Sequence, residues 1–190
     1  MAGERPKERA DAARNRRAIL DATAALLAEH GAAAVTMDRV AATAGVGKGT
    51  IFHRFGSRAG LLLELVGEHA RTLRKAVEQG PPPLGPGAPP RDRLVAFFAE
   101  FTDLVTDNAE LMLAYRAMPP HEDAEELHAF WDAHVTDLLR QVRPDLDAQM
   151  VGRLLMAPLG GELLPHLARS GAKDRARAAM VQLVESVVRP

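Results

Sequence analysis

Residues 36–55, TMDRVAATAGVGKGTIFHRF, leave room for only two helices of about two turns each, and this constrains the chain more than any other feature. Thr36 suits an N-cap, Asp38 falls in the first turn where the helix dipole favours a carboxylate, and Val40, Ala41 and Ala44 share one face. Gly45 ends this helix, Val46 is a small apolar plug, and a further short helix is predicted from residue 47 to about 53. Two short helices joined by a tight glycine-containing turn form a helix-turn-helix.

The same stretch carries a glycine-flanked lysine, which also invites a phosphate-loop reading, because backbone N–H groups at a helix start and an ammonium favour anions in either setting. A phosphate loop needs glycine at the first position of G-x-x-x-x-G-K-[ST], a strand before it and a hydroxyl directly after the lysine. Here Ala42 holds the first position, Gly49 follows Lys48, and a helix leads in. The helix-turn-helix accounts for the residues better. Gly49 lets backbone approach DNA closely, Lys48, Thr50 and His53 lie on one side of a short helix within reach of phosphates or base edges, and Ile51 and Phe55 turn toward a three-helix core.

Charge supports an anionic partner for this part of the chain. The net charge of −1 conceals an asymmetry: residues 1–80 carry 13 Lys and Arg against 9 Asp and Glu, and the remainder carries 11 against 16. Between residues 39 and 63 stand Arg39, Lys48, Arg54 and Arg58 with no acid. Cysteine is absent, which removes disulfides, thiol nucleophiles and cysteine-bound zinc from consideration. The charged N-terminal stretch lacks the apolar core of a signal peptide and no segment is apolar enough to span a bilayer, so a cytoplasmic protein without a membrane partner is expected.

Helical periodicity recurs along the whole chain, and no alternating strand pattern interrupts it. A first helix is predicted over about 14–30, with Ile19, Thr23, Leu26 and Leu27 on one face, and Ser57 caps a long fourth helix whose apolar positions include Leu61, Leu65, Leu73 and Val77. GPPPLGPGAPP, residues 80–90, cannot continue a helix and reads as a linker. Helices are expected over about 91–106, a shorter piece to 118, one starting at Pro119, one over about 145–170 kinked by Pro158, and one over 173–188. The expected fold is all-α, about nine helices: a DNA-binding helix-turn-helix domain with a basic N-terminal arm (1–56) on a ligand-binding and dimerisation domain (57–190).

Residues 16–66, RRAILDATAALLAEHG…VTMDRVAATAGVGKGTIFHRFGSRAGLLLELV, resemble the DNA-binding region of the TetR family of bacterial repressors, with the spacing intact. The resemblance implies a homodimeric, ligand-released repressor on a palindromic double-stranded operator. It implies phosphate contacts from Thr36, Gly47, Lys48 and Arg58, with base or phosphate contacts from Thr50 and His53. Two positions depart from the usual pattern: Gly47 stands where a serine often caps the recognition helix, and Phe52 where a tyrosine often offers a hydroxyl to phosphate.

In the C-terminal part, Phe97, Phe101, Met112, Tyr115, Trp131 and His134 are candidates for a mainly apolar pocket that takes a small-molecule inducer. Met150, Leu154, Ala157 and Gly161, with Met180, Leu183, Val184 and Val187, are candidates for a dimer face built as a four-helix bundle. His121, Glu125, His128 and Asp132 follow one helical face at ligand-like steps, but a solvated face is the commoner outcome of such spacing and no metal site is assigned. No nucleophile elbow or zinc-helix motif is present, so neither an enzyme nor a cofactor is expected. An architectural DNA-binding protein without ligand, and a small metal-binding or enzymatic helical module, stand as the alternatives.

Overall fold

The computed structural model describes residues 6–118 and 122–189, and every regular element among them is helical. Helices α1 (Pro6–His30), α2 (Met37–Ala44), α3 (Lys48–Phe55) and α4 (Arg58–Gln79) are followed by α5 (Pro90–Asp107), α6 (Ala109–Arg116) and α7 (Glu122–Val142). The chain ends with α8 (Ala148–Met156), α9 (Leu163–Arg169) and α10 (Lys173–Val187); a short 3-10 turn, Ala32–Ala34, links α1 to α2. Two compact units divide at Gly67, within α4.

In the N-terminal unit, Ile19, Leu20, Leu26 and Leu27 of α1 are buried together with Val40 and Ala41 of α2, Ile51 of α3 and Leu61, Leu62 and Leu65 of α4. The one polar side chain buried among them, Thr23, donates its hydroxyl to the Ile19 carbonyl 2.7 Å away, so its burial leaves no unsatisfied hydroxyl. Helix α1, expected from about residue 14, is already present at Pro6, the first described residue. The Lys, Glu, Arg and Ala that follow Pro6 are strong helix formers, so the basic arm is helical from the first described residue onward. Two long-range contacts tie α1 down: Arg54 donates to the Ala12 carbonyl at 2.7 Å and Arg16 pairs with Glu64.

The C-terminal unit is organised around α5, which packs on α7, α9 and α10, while α8 packs on α7. Its core combines Leu94, Phe97, Phe98 and Val105 of α5, Trp131, Val135, Leu138 and Leu139 of α7, and Leu155, Leu164, Met180 and Val184 of the last three helices. The single helix expected over 145–170 is two helices. Pro158 removes a ladder donor, Gly160 and Gly161 follow it, and tight bonds such as Leu159 N–H to the Met156 carbonyl at 3.0 Å turn the chain between α8 and α9. Ten α-helices are therefore found among the described residues where about nine were expected. Residues 119–121, with Pro119 and His121, lie outside the described residues. No described helix is long and apolar enough to cross a membrane.

Candidate nucleic-acid interface

Helix α2 begins where sequence chemistry places it: the Thr36 hydroxyl accepts from the Arg39 N–H at 3.2 Å. It ends at Gly45, whose φ of 65° is the left-handed conformation that glycine adopts without penalty. Gly47 caps α3 in an extended conformation and contributes no side-chain bond, while its carbonyl accepts from the Thr50 N–H at 2.9 Å. Ile51 is fully buried, whereas Lys48, Gly49, Thr50 and His53 are exposed. A Cβ added to Gly49 would meet nothing within 4 Å, so packing inside the unit does not require a glycine there. Phe55 is half-buried and Phe52 is 45% exposed, an unusual position for an aromatic ring on a short helix.

Two expected phosphate-contact residues already have partners within the unit. Lys48 Nζ lies 2.8 Å from the Asp38 carboxylate and 5.9 Å from the centre of the Phe52 ring. Arg58 donates from Nε to the Val35 carbonyl at 2.9 Å and from its terminal nitrogen to the Ala32 carbonyl at 2.7 Å, thereby fixing the 3-10 turn against the start of α4. Neither partner was apparent from the sequence, because both contacts join residues from different helices.

In the C-terminal unit the candidate pocket residues divide. Phe97, Phe101, Trp131 and His134 form one ring cluster: Phe97 lies 5.5 Å from Phe101, 5.5 Å from Trp131 and 5.2 Å from His134. Phe97 and Trp131 are 0% and 2% exposed and belong to the core. Met112 packs against this core from α6, and Tyr115 is half-buried on α6. Phe130, not among the expected lining, stacks on His134 and carries the Arg74 guanidinium 4.3 Å above its ring. His134 Nε2 is buried and makes no hydrogen bond within the protein. Burial drives its pKa down to about 4, the Arg93 charge adds to the shift, and Asp137 opposes it. The imidazole is therefore neutral at physiological pH. A separate surface hollow of about 400 Å³ lies between α7 and α8, lined by Asp132, Thr136, Asp137, Arg140, Gln149 and Arg153 among others.

The candidate dimer residues also divide. Met150, Leu154 and Leu183 are exposed large apolar side chains, and Ala157 is exposed at the end of α8. Met180 and Val184, by contrast, are buried in the unit's own core and Val187 packs against it, because this stripe of α10 is the one that faces inward; Gly161 lies in the turn between α8 and α9. On α7, Glu125 and His128 are exposed and Asp132 approaches Arg153 at 3.9 Å; His121 is outside the described residues. Among the described residues no three acids or histidines converge to hold a metal ion.

Residues 19–65 match the family model of bacterial regulatory proteins of the tetR family. The N-terminal unit belongs to the TetR family. The matched span runs from the buried Ile19 to the buried Leu65 and contains the whole α2–α3 motif, so TetR-family membership rests on the part that presents Lys48, Thr50 and His53. No curated protein matches the chain by sequence. Solved structures share the fold along nearly its full length. A TetR-family transcriptional regulator from Streptomyces coelicolor aligns with a TM-score of 0.68 at 21% identity, covering 93% of this chain and 95% of that one. FadR from Bacillus subtilis, solved with stearoyl-CoA, aligns with a TM-score of 0.64 at 15% identity, covering 91% and 99%. NalD, the secondary repressor of the MexAB-OprM multidrug efflux pump in Pseudomonas aeruginosa, aligns with a TM-score of 0.61 at 18% identity, covering 92% and 95%. The chain thus shares the overall fold of these solved structures, and its N-terminal unit carries the helix-turn-helix that matches the tetR family model.

Proposed function

We propose that this protein is a homodimeric transcriptional repressor of the bacterial cytoplasm, without enzymatic activity, that binds a palindromic operator through α3 and leaves it when a small, mainly apolar ligand binds the C-terminal domain. The observation that carries the DNA-binding part is the division of α3: Ile51 is buried, and Lys48, Thr50 and His53 stand exposed on a helix of suitable length for a major groove. We assign residues 1–56 to DNA binding and 57–190 to ligand binding and dimerisation, with α4 as the element continuous between them.

The ligand part draws support from the ring cluster around Phe97, Phe101, Trp131 and His134, an apolar lining with one neutral polar atom left to fix orientation. Stearoyl-CoA in FadR is a precedent for a long-chain ligand in this fold. The near-complete burial of Phe97 and Trp131 favours a second reading, a DNA-binding protein without ligand whose rings serve only as core. Selection of bound genomic fragments, followed by a screen for small molecules that release them, separates the two. Release by a compound, lost in His134→Leu with DNA affinity kept, supports the repressor; selective DNA binding that no compound relieves supports the second reading. Trp131→Ala is the wrong probe for this purpose, since emptying a fully buried indole site costs about 3–5 kcal/mol of stability.

A further inference from the structure

We propose that Asp38 limits the affinity of the DNA interface by holding the Lys48 ammonium away from the phosphates, a role that rests on the reading of α3 as the DNA-binding helix. Both Asp38 carboxylate oxygens approach Lys48 Nζ, at 2.8 and 2.9 Å, and the Phe52 ring lies beneath the ammonium one turn further along α3. The pair joins the first turn of α2 to the first turn of α3, the two helix starts that would meet the DNA backbone. Asp38 is also the sole acid between residues 30 and 63, and it stands directly against the one lysine of that stretch.

Two outcomes are open to Lys48 on binding, and both weaken it as a phosphate ligand. If the ammonium stays with Asp38, it neutralises no phosphate and releases no counterion. If it turns to a phosphate, Asp38 is left uncompensated within a Debye length of the polyanion and is repelled. The side chains are 49% and 73% exposed, so the pair itself is weak and exchangeable rather than a fixed structural bridge. Gly47 provides no side-chain cap bond and Phe52 has no hydroxyl, which leaves Lys48 as the one cationic side chain in the first turn of α3 and makes its restraint consequential.

The test is a salt titration of full-length wild type, Asp38→Asn, Lys48→Ala and the double variant on a labelled mixed-sequence duplex of about 30 base pairs. Asp38→Asn is expected to bind about two- to five-fold more tightly per engaged unit at about 50 mM salt. The slope of log K against log salt is expected to steepen toward one additional phosphate contact, about 0.9 per unit. Asp38→Glu should restore wild-type affinity and slope, and the gain from Asp38→Asn should shrink when Lys48 is already alanine. Unchanged or weaker binding by Asp38→Asn, with melting temperature preserved, overturns the proposal and leaves Asp38 as a helix-dipole residue. An equal gain with and without Lys48 also overturns it, because Asp38 would then repel DNA without acting through the lysine. If wild type does not bind the duplex at about 50 mM salt, the DNA-binding reading fails together with it.

Discussion

Lys48, Thr50 and His53 are all exposed on α3, and the proposed function gives them different work on DNA that substitution separates. Lys48 is paired with Asp38, so Lys48→Ala is expected to weaken binding to all sequences alike, slightly in the wild type, and to flatten the salt slope clearly only when Asp38 is already asparagine; identical affinities at two salt concentrations in that background would remove it from the interface. Thr50→Ala and His53→Ala are expected to cost roughly 1–3 kcal/mol of discrimination at the base pair they touch, seen as a loss that varies among operator variants. His134 has a different signature. Its folded pKa of about 4 lies below the ordinary 6.5, so the unfolded chain takes up this proton first and stability falls as pH drops from 6.5 toward 4. His134→Leu should therefore lose less melting temperature than wild type between pH 7 and pH 5; an equal loss in both would show that the buried imidazole is not the titrating group.

At the level of helices, the junction of α3 and α4 leaves no room for a side chain at Gly60. A Cβ on Gly60 would fall 2.1 Å from the Phe55 carbonyl oxygen, a backbone atom that cannot swing aside. Gly60→Ala should therefore lower stability by about 1–3 kcal/mol in thermal unfolding and weaken DNA binding by displacing the end of α3, whereas a wild-type melt would show that the junction yields. This junction was not legible in the sequence, where Gly60 is one glycine in a leucine-rich helix. The boundaries of α2 and α3 were legible, because Thr36, Gly45 and Gly47 act locally. The break between α8 and α9 was only half legible: Pro158 marked the place, but whether a helix kinks or stops depends on its neighbours Gly160 and Gly161. The two apolar stripes of α10 share the same periodicity, and only the packing of α10 on α5 shows that Met180 and Val184 face inward while Leu183 does not. Asp38 and Lys48 are ten residues apart on separate helices, so no spacing rule announces their pairing.

For the molecule as a whole, the proposed repressor requires two recognition helices about 34–36 Å apart to enter successive major grooves, and so a dimer on the operator. Among the described residues of the C-terminal unit, Met150 and Leu154 of α8, Leu163 of α9 and Leu183 of α10 are exposed large apolar side chains, Leu154 at 66% exposure being the most open, and the proposed dimer would cover them. Leu154→Glu is expected to leave the fold intact, shift sedimentation toward monomer and lower operator affinity in proportion; a dimer that persists would move the interface elsewhere. Should a ligand act by changing the separation of the two helices, linkage requires that operator DNA weaken ligand binding by the same factor by which ligand weakens DNA binding. The most direct test of the central claim is the specificity ratio, measured by titrating the protein with its best genomic fragment and with mixed-sequence DNA at one salt concentration. A sequence-specific repressor is expected to bind a fragment containing an inverted repeat at least about 1,000-fold more tightly than mixed sequence, a preference lost in the Thr50→Ala, His53→Ala double variant. Equal affinity for both DNAs would contradict it.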